Sequence, residues 1–280
     1  MLKNTFCHIP GIGERSERNL WSRGIQCWED VLREGSIGLS IQGHESLKRD
    51  IRESMAHLED NNPHYFTESL PSRDHWRLLP HFPHLTAYLD IETTGLGWPG
   101  DYITTIALYD GESITTYVRG RNLDDFRADM SKYKVIVTYN GKCFDVPFIE
   151  KHLKIKMDQA HIDLRYVLKS LGHTGGLKHI EKALGLAREE LEDIDGFFAV
   201  LLWEEFQAKK DERALETLLA YNVVDTVNLQ TLMFRAYNMK LKETPFLQTH
   251  QLAIPELPQN PFTPNMETIH RIRGWWRGSA

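Results

Sequence analysis

The chain has few cysteines, no long apolar run and no excess of positive charge. Its three cysteines, Cys7, Cys27 and Cys143, are scattered and form no CxxC pair. An odd, dispersed set excludes a disulfide scaffold and a zinc finger and points to a reducing compartment. No stretch of about 18 apolar residues occurs, so no membrane span is expected. The opening MLKNTFCHIPGIGERSER lacks the apolar centre of a secretory signal, and a cytoplasmic location is the expectation. The formal net charge is −6, so the basic field that drives tight non-specific nucleic-acid binding is missing overall. An enzyme that gathers metal ions with carboxylates can still be acidic, because bound cations invert the local charge. The Gly-rich stretch Gly172-His-Thr-Gly-Gly176 lacks P-loop spacing and no nucleophile elbow occurs, which sets aside nucleotide hydrolysis and serine-hydrolase chemistry.

What is present is the composition of a globular protein with a real core, 41% hydrophobic and 26% charged. At about 150 residues per domain the length allows one to two domains. Residues 1–60 read as a small all-helical N-terminal region. Leu20, Trp21, Ile25, Trp28, Val31 and Leu32 recur at spacings of three and four, between breaks at Gly24, Gly35, Gly38 and Gly43. A further helix is predicted over 45–58, with Leu47, Ile51, Met55 and Leu58 on one face. Residues 61–85 hold four prolines but also Tyr65, Phe66, Trp76, Leu78, Leu79 and Phe82. A connecting segment that wraps onto the next domain is expected there.

From Thr86 the pattern turns to strands. Runs over 86–92, 103–109 and 113–118 are β-prone, and Asp110-Gly111-Glu112 between the last two signals a hairpin. Helices are predicted over 123–130, 145–153, 176–184, 191–209 and 213–238, and strands over 135–139 and 161–164. This order gives an α/β domain over 86–240, a mixed sheet flanked by helices. Residues 241–280 are rich in proline, and an extended tail is expected, ending in the basic and aromatic RIRGWWRGSA.

Three short segments carry the chemistry. Asp90 and Glu92 lie two apart on the first predicted strand, so both point to one face. Thr93-Thr94-Gly95 follows them, which places the pair at the strand's C-terminal end, where open α/β sheets bind ligands. Adjacent like charges are costly unless a cation lies between them; a solvated strand end is the plain alternative. Asn140-Gly-Lys-Cys-Phe144-Asp145 joins a strand to a helix, and Asp145 ahead of Pro147 fits a helix N-cap as well as it fits catalysis. Tyr221-Asn-Val-Val-Asp225 lies on the long C-terminal helix, with Tyr221 and Asp225 on one face beside Leu229 and Leu232. An inward aspartate needs a partner or a metal; a Tyr–Asp hydrogen bond bracing the helix is the alternative.

Taken together and in this order, DIETTG, NGKCFD and YNVVD resemble the three exonuclease motifs of the DEDD superfamily, the DnaQ-like 3′–5′ exonucleases that include polymerase proofreading domains. The tyrosine four residues before the last aspartate resembles the tyrosine subclass; the histidine subclass would need His at position 220, where Ala220 stands. GLKHIEKALGL over 176–186 is similar to the YprB-type branch. The resemblance implies a ribonuclease H-like fold and metal-dependent hydrolysis of phosphodiester bonds from the 3′ end of nucleic acid, DNA or RNA, with DNA repair as a setting. It implies that Asp90 bridges two Mg²⁺ or Mn²⁺ ions, that Glu92 and Asp225 hold the ion carrying the attacking water, and that Asp145 holds the second. Tyr221 would orient that water. An all-oxygen ligand set agrees with Mg²⁺ or Mn²⁺ over Zn²⁺, and a tyrosine of pKa about 10 suits positioning better than proton abstraction. Thr93, Leu96, Asn140 and Phe144 are candidate contacts to the terminal nucleotide, with core packing open for Phe144. A non-catalytic nucleic-acid-binding module and a structure-specific endonuclease of the same fold are the alternatives.

At the N-terminus, His8-Ile-Pro10-Gly11-Ile12-Gly13 resembles the hairpin of a helix-hairpin-helix motif, in which glycines let backbone N–H groups approach phosphate. Arg15, Arg18 and Arg23 nearby fit phosphate contacts that position without reading sequence; a packing role for the glycines is the alternative. His161 and Asp163 close a predicted strand, and a structural role is expected of both over one in the site. Trp275-Trp276 either stacks on single-stranded bases or anchors the tail on the body of the protein.

Overall fold

The computed structural model describes residues 1–34, 38, 40–97, 99–186, 191 and 194–278, with the backbone alone for 275–278. Gly35, part of the helix expected over 191–209, and the Trp275-Trp276 side chains lie outside the described residues. The chain opens with a 3-10 turn, Leu2–Asn4, followed by α1 (Glu14–Ser22), α2 (Trp28–Arg33), α3 (Ile41–Glu59) and α4 (Pro63–Ser69). Ser40 caps α3 by accepting the Gly43 amide, and Pro63 opens α4 where no N–H is needed. Two 3-10 stretches, Ser72–His81 and Pro83–Leu85, lead into the sheet.

The sheet and its helices follow as β1 (Thr86–Thr93), β2 (Ile103–Tyr109), β3 (Ile114–Val118), α5 (Phe126–Met130), β4 (Val135–Thr138), α6 (Asp145–Leu153), β5 (Ala160–Asp163), α7 (Leu164–Ser170), α8 (Leu177–Ala183), α9 (Gly196–Lys209), α10 (Glu212–Leu241), α11 (Leu247–His250) and α12 (Met266–Gly278). Strand order is β3-β2-β1-β4-β5. β1, β2 and β3 pair antiparallel, while β1, β4 and β5 run parallel. This is the mixed, helix-flanked α/β sheet expected, a ribonuclease H-like fold. No helix among the described residues is long and apolar enough to cross a membrane.

Alternation along β1 sends Ala87, Leu89 and Ile91 to one face, where they pack with Phe126, Met130, Phe148 and Ile149 of α5 and α6. Tyr88, Asp90 and Glu92 turn to the other. Across that second face lies α10, 30 residues long, roughly 45 Å at 1.5 Å per residue. Its Val223, Val227, Leu229 and Leu232 share a core with Tyr88, Ala107 and Tyr109. Its opposite side packs Leu215, Leu218 and Leu219 against Leu202, Trp203 and Phe206 of α9. A helix covered on both sides shows no clean amphipathic stripe, and α10 has none.

The N-terminal helices do not form a core of their own. Phe6, Trp28, Ile51, Phe66 and Trp76 belong to the same apolar cluster as the sheet and α10. The wrapping segment is helical, with Trp76, Leu78, Leu79 and Phe82 buried. One ion pair fastens it. Glu17 Oε1 accepts the amides of Phe6 at 2.6 Å and Cys7 at 3.1 Å, and both Glu17 oxygens take Arg77 guanidinium nitrogens at 2.9 Å. The tail departs from expectation. Residues 251–260 have no regular structure, but Met266–Gly278 forms α12. The last proline precedes it, Asn265 Oδ1 accepts the Thr268 amide at its start, and Ile269 and Ile272, three apart, bury against α9 and α10.

Removing one partner of a buried, hydrogen-bonded pair leaves a charge stranded in the interior. Arg77→Leu is therefore expected to cost about 3–5 kcal/mol, read from the urea unfolding midpoint; an unchanged midpoint would show that the pair does not fasten the N-terminal region.

Candidate functional site

The site forms where β1 runs past its parallel neighbour. Pairing with β4 extends from Thr86 to Tyr88 only, so Asp90, Ile91 and Glu92 lie beyond the last paired residue on that side. The register of β1 against β2 shifts between Glu92 and Thr93, an irregularity that re-aims the strand end. The following loop closes on itself. Thr94 and Tyr102 exchange two hydrogen bonds at 3.0 Å, amide to carbonyl and amide to hydroxyl, and Asp101 accepts the Gly97 amide at 2.9 Å. A Cβ on Gly95 would lie 2.5 Å from Asp101 Oδ1, so any larger residue there would displace the Asp101 carboxylate. Leu96 stands at the loop, 84% exposed.

α10 delivers the third carboxylate. Asp225, Asp90 and Glu92 each bring an oxygen within 4.8 Å of the others. Glu92 and Asp225 are buried and Asp90 is half-buried. Burial pushes the Asp90 carboxyl well above the ordinary range, and the charges of Asp225, Glu92 and Asp145 push it further. Asn222, one turn before Asp225, opposes the rise by donating to Asp90 Oδ2 at 2.7 Å. Its carboxamide oxygen accepts from Thr105 Oγ1 at 3.0 Å, and Thr105 lies opposite Glu92 in the ladder. Asn222 thus pins the helix to both strands and fixes the Asp90 carboxylate.

Asp145 reaches the site from the other side. Its approach depends on a tight turn after β4. Asn140 takes a left-handed backbone, φ 67°, which asparagine tolerates, and a Cβ on Gly141 would sit 2.2 Å from Thr138 Oγ1. The fully buried Asp163 serves as template, accepting the amides of Asn140 at 2.8 Å, Lys142 at 3.1 Å and Arg165 at 3.0 Å. Phe144 occupies the N-cap of α6, and Asp145 is its first helical residue, so the capping explanation of Asp145 does not hold. The Asn140 carbonyl accepts the amides of both Cys143 and Phe144, and this turn carries the chain one residue past the cap before Asp145. Burial raises the Asp145 carboxyl to about 7, with Asp163 adding to the rise and hydrogen bonds from its own amide and that of Ile91 opposing it. Asp145 lies outside the close group of three.

Tyr221 is 4% exposed, with the Lys178 ammonium of α8 5.1 Å from its ring centre. Of the candidate nucleotide contacts, Thr93 is buried and donates its hydroxyl to the Gly95 carbonyl at 2.6 Å. The Asn140 carboxamide oxygen accepts from Arg165, and Phe144 packs on Phe148 at 5.4 Å. His161 is structural: Nε2 bonds Thr138 Oγ1 at 2.8 Å, and burial holds its ring down at about 3, with Lys142 and His75 adding to the effect. Sequence reasoning missed Asn222, Asp163 as template, and Lys178. A signal existed for the first, since a buried amide one turn from Asp225 sits inside the YNVVD run. At the N-terminus, Gly11 has φ 83°, Gly13 caps α1, and Arg15, Arg18 and Arg23 border an open cavity of about 630 Å³ with Gly11 and Ile12.

A family model described as the RNase_H superfamily matches residues 87–237. No curated protein matches the chain. Among solved structures, a family B DNA polymerase from the hyperthermophilic archaeon Pyrobaculum calidifontis is 18% identical with a TM-score of 0.37, covering 56% of this chain and 29% of that one. A structure described as the apo form of the nuclease is 17% identical with a TM-score of 0.31, covering 61% of this chain and 90% of that one. The chain thus spans under a third of the polymerase.

A carboxyl kept protonated by the fold stabilises fully below its unfolded pKa of about 3.9 and loses that contribution as pH rises through the folded value. For Asp145 the folded value is about 7. The buried His8, His81 and His161, held down at about 3, and the buried N-terminal amine, at about 5, work in the opposite direction over pH 5.5 to 7.5. The Asp145 contribution is therefore read as a difference: metal-free Asp145→Asn is expected to gain in melting temperature relative to the parent on going from pH 5.5 to pH 7.5. The same difference between variant and parent at both pH values would contradict a raised Asp145 carboxyl.

Proposed function

The chain belongs to the RNase H superfamily, and from that membership we propose that it is a metal-dependent 3′–5′ exonuclease acting on single strands or 3′ ends of nucleic acid. The observation that carries the reading is the meeting of Asp90, Glu92 and Asp225 within 4.8 Å. Such a group is self-repelling and fits a divalent cation, and its all-oxygen donors suit Mg²⁺ or Mn²⁺. Asp90, Glu92 and Asp225 would hold one ion, and Asp90 with Asp145 a second. Bound there, two such ions would stabilise the attacking and leaving oxygens of a phosphoryl displacement.

The chain's own residues perform the rest. Asn222 holds Asp90 in one orientation, so that carboxylate does not reorganise when substrate arrives. Tyr221 positions the nucleophilic water, its ring buried under Lys178. Leu96, exposed beside the site, wedges at the terminal base. The arginines beside the Gly11–Gly13 turn contact phosphate further along the strand. The polarity of digestion and the tyrosine-subclass assignment rest on the likeness of the three motifs.

The test uses 3′- and 5′-labelled single-stranded DNA and RNA with Mg²⁺, Mn²⁺ or EDTA. Shortening from the 3′ end is expected with either metal and none with EDTA. Asp90→Ala should lose roughly a hundredfold or more, about 2.7 kcal/mol of transition-state stabilisation. Tyr221→Phe should slow turnover while leaving metal affinity intact. Internal cleavage would favour an endonuclease, and binding without cleavage a non-catalytic module.

A further inference from the structure

The carboxylates occupy one end of the sheet, and a cavity of about 620 Å³ opens at the other. It is walled by residues 61–64 ahead of and into α4, by Lys134 just before β4, and by residues 154–159 before β5. Val135, next to Lys134, pairs with Thr86, four residues before Asp90. At about 3.3 Å per residue the cavity lies roughly 13 Å or more from the nearest site carboxylate.

Its charge runs against that of the chain. Among the described residues, four cations, Arg127, Lys134, Lys154 and Lys156, line one opening, with Asp158 as the single carboxylate there. Lys156 pairs with Asp158 at 2.6 Å. Lys134 Nζ donates to the Asn61 carbonyl at 2.8 Å, and Arg127 to the Lys154 carbonyl at 2.9 Å. Bonds to carbonyls hold these cations in place without cancelling their charge. Like charges gathered on one concave wall draw an anion.

The backbone and the floor add to this. Asn61 and Lys154 both line the cavity and both have φ 51°. At Lys154 this is the left-handed C-cap of α6, a position that favours glycine. Met130, Tyr133, Ile155 and Met157 make an apolar floor. Beside them Gln159 donates Nε2 to the Met130 carbonyl at 3.2 Å, while its buried Oε1 has no hydrogen-bond partner. A buried acceptor left unmatched wants a donor.

We propose that this cavity binds a nucleoside phosphate. Its phosphates lie against the cations and its base rests on the apolar floor. The phosphate belongs either to a free nucleotide or to the end of a strand, and the recognising chemistry is shared.

The experiment follows fluorescence polarisation of a labelled nucleoside triphosphate and of a labelled 5′-phosphorylated oligonucleotide, in EDTA, with inorganic triphosphate as competitor. The double variant Lys154→Gly with Lys156→Ala removes two exposed charges and suits the left-handed backbone. At least one probe should bind saturably, and the double variant should bind it tenfold or more weakly at an unchanged melting temperature. Stronger binding of the free nucleotide, or of the oligonucleotide, identifies the source. Should the double variant melt lower, Lys156→Glu alone replaces it, with the same weakening expected. No binding of either probe, or equal binding by parent and charge variant, overturns the proposal. Competition by inorganic triphosphate at the nucleotide's own affinity overturns the nucleoside half of it.

Discussion

Carboxylates repel one another, and this fold holds three within 4.8 Å by laying one long helix across a strand that already carries two. At that separation an ionised pair costs about 3–4 kcal/mol for an effective dielectric of about 20. The repulsion acts to lift α10 off the sheet. What resists it is the burial of α10 on both sides, against β1 and β2 below and α9 and α12 above. The N-terminal helices extend the same apolar cluster, so they help hold the helix that carries Asp225. Stability elsewhere in the molecule is what allows the site to be unfavourable in itself, a pattern expected where residues are arranged for chemistry.

The supports around the carboxylates are neutral or already paired, which keeps the repulsion from spreading. Asn222 bonds Asp90 through an amide that brings no charge and is itself bonded to Thr105. Asp163 adds a charge nearby, yet three backbone amides surround it. Gly95 and Gly141 serve the same end by another route. Each lets the backbone pass within what would be contact distance of a side chain that shapes its turn, Asp101 in one case and Thr138 in the other.

Much of this frame could be read from sequence because its signals are local. The β-prone runs, the Asp110-Gly111 turn and the YNVVD helix each announce themselves within a few residues, and spacing alone puts Asp90 and Glu92 on one face. Non-local contacts were not readable. Nothing in the sequence near Lys178 says that it lies over Tyr221, and nothing near Glu17 says that it meets Arg77, 60 residues away. The prolines of the tail masked α12, since Ile269 and Ile272 become informative only once a surface exists for them to cover. Asp145 was ambiguous for the opposite reason. Its sequence context suits an N-cap, but the preceding turn uses Phe144 for that position.

The net charge hides its local distribution, for a physical reason. The value of −6 sums an acidic site, a basic cavity beyond the opposite end of the sheet, and an arginine-lined hollow at the N-terminus. At physiological ionic strength charges are screened beyond about 8 Å, so an approaching anion responds to the nearest patch and not to the sum. An overall acidic chain can therefore present separate surfaces that attract phosphate, while its acidic site attracts cations. The absence of a basic excess argues against a continuous electrostatic track along the molecule; it carries no weight against discrete phosphate sites, each built from a few residues within one screening length.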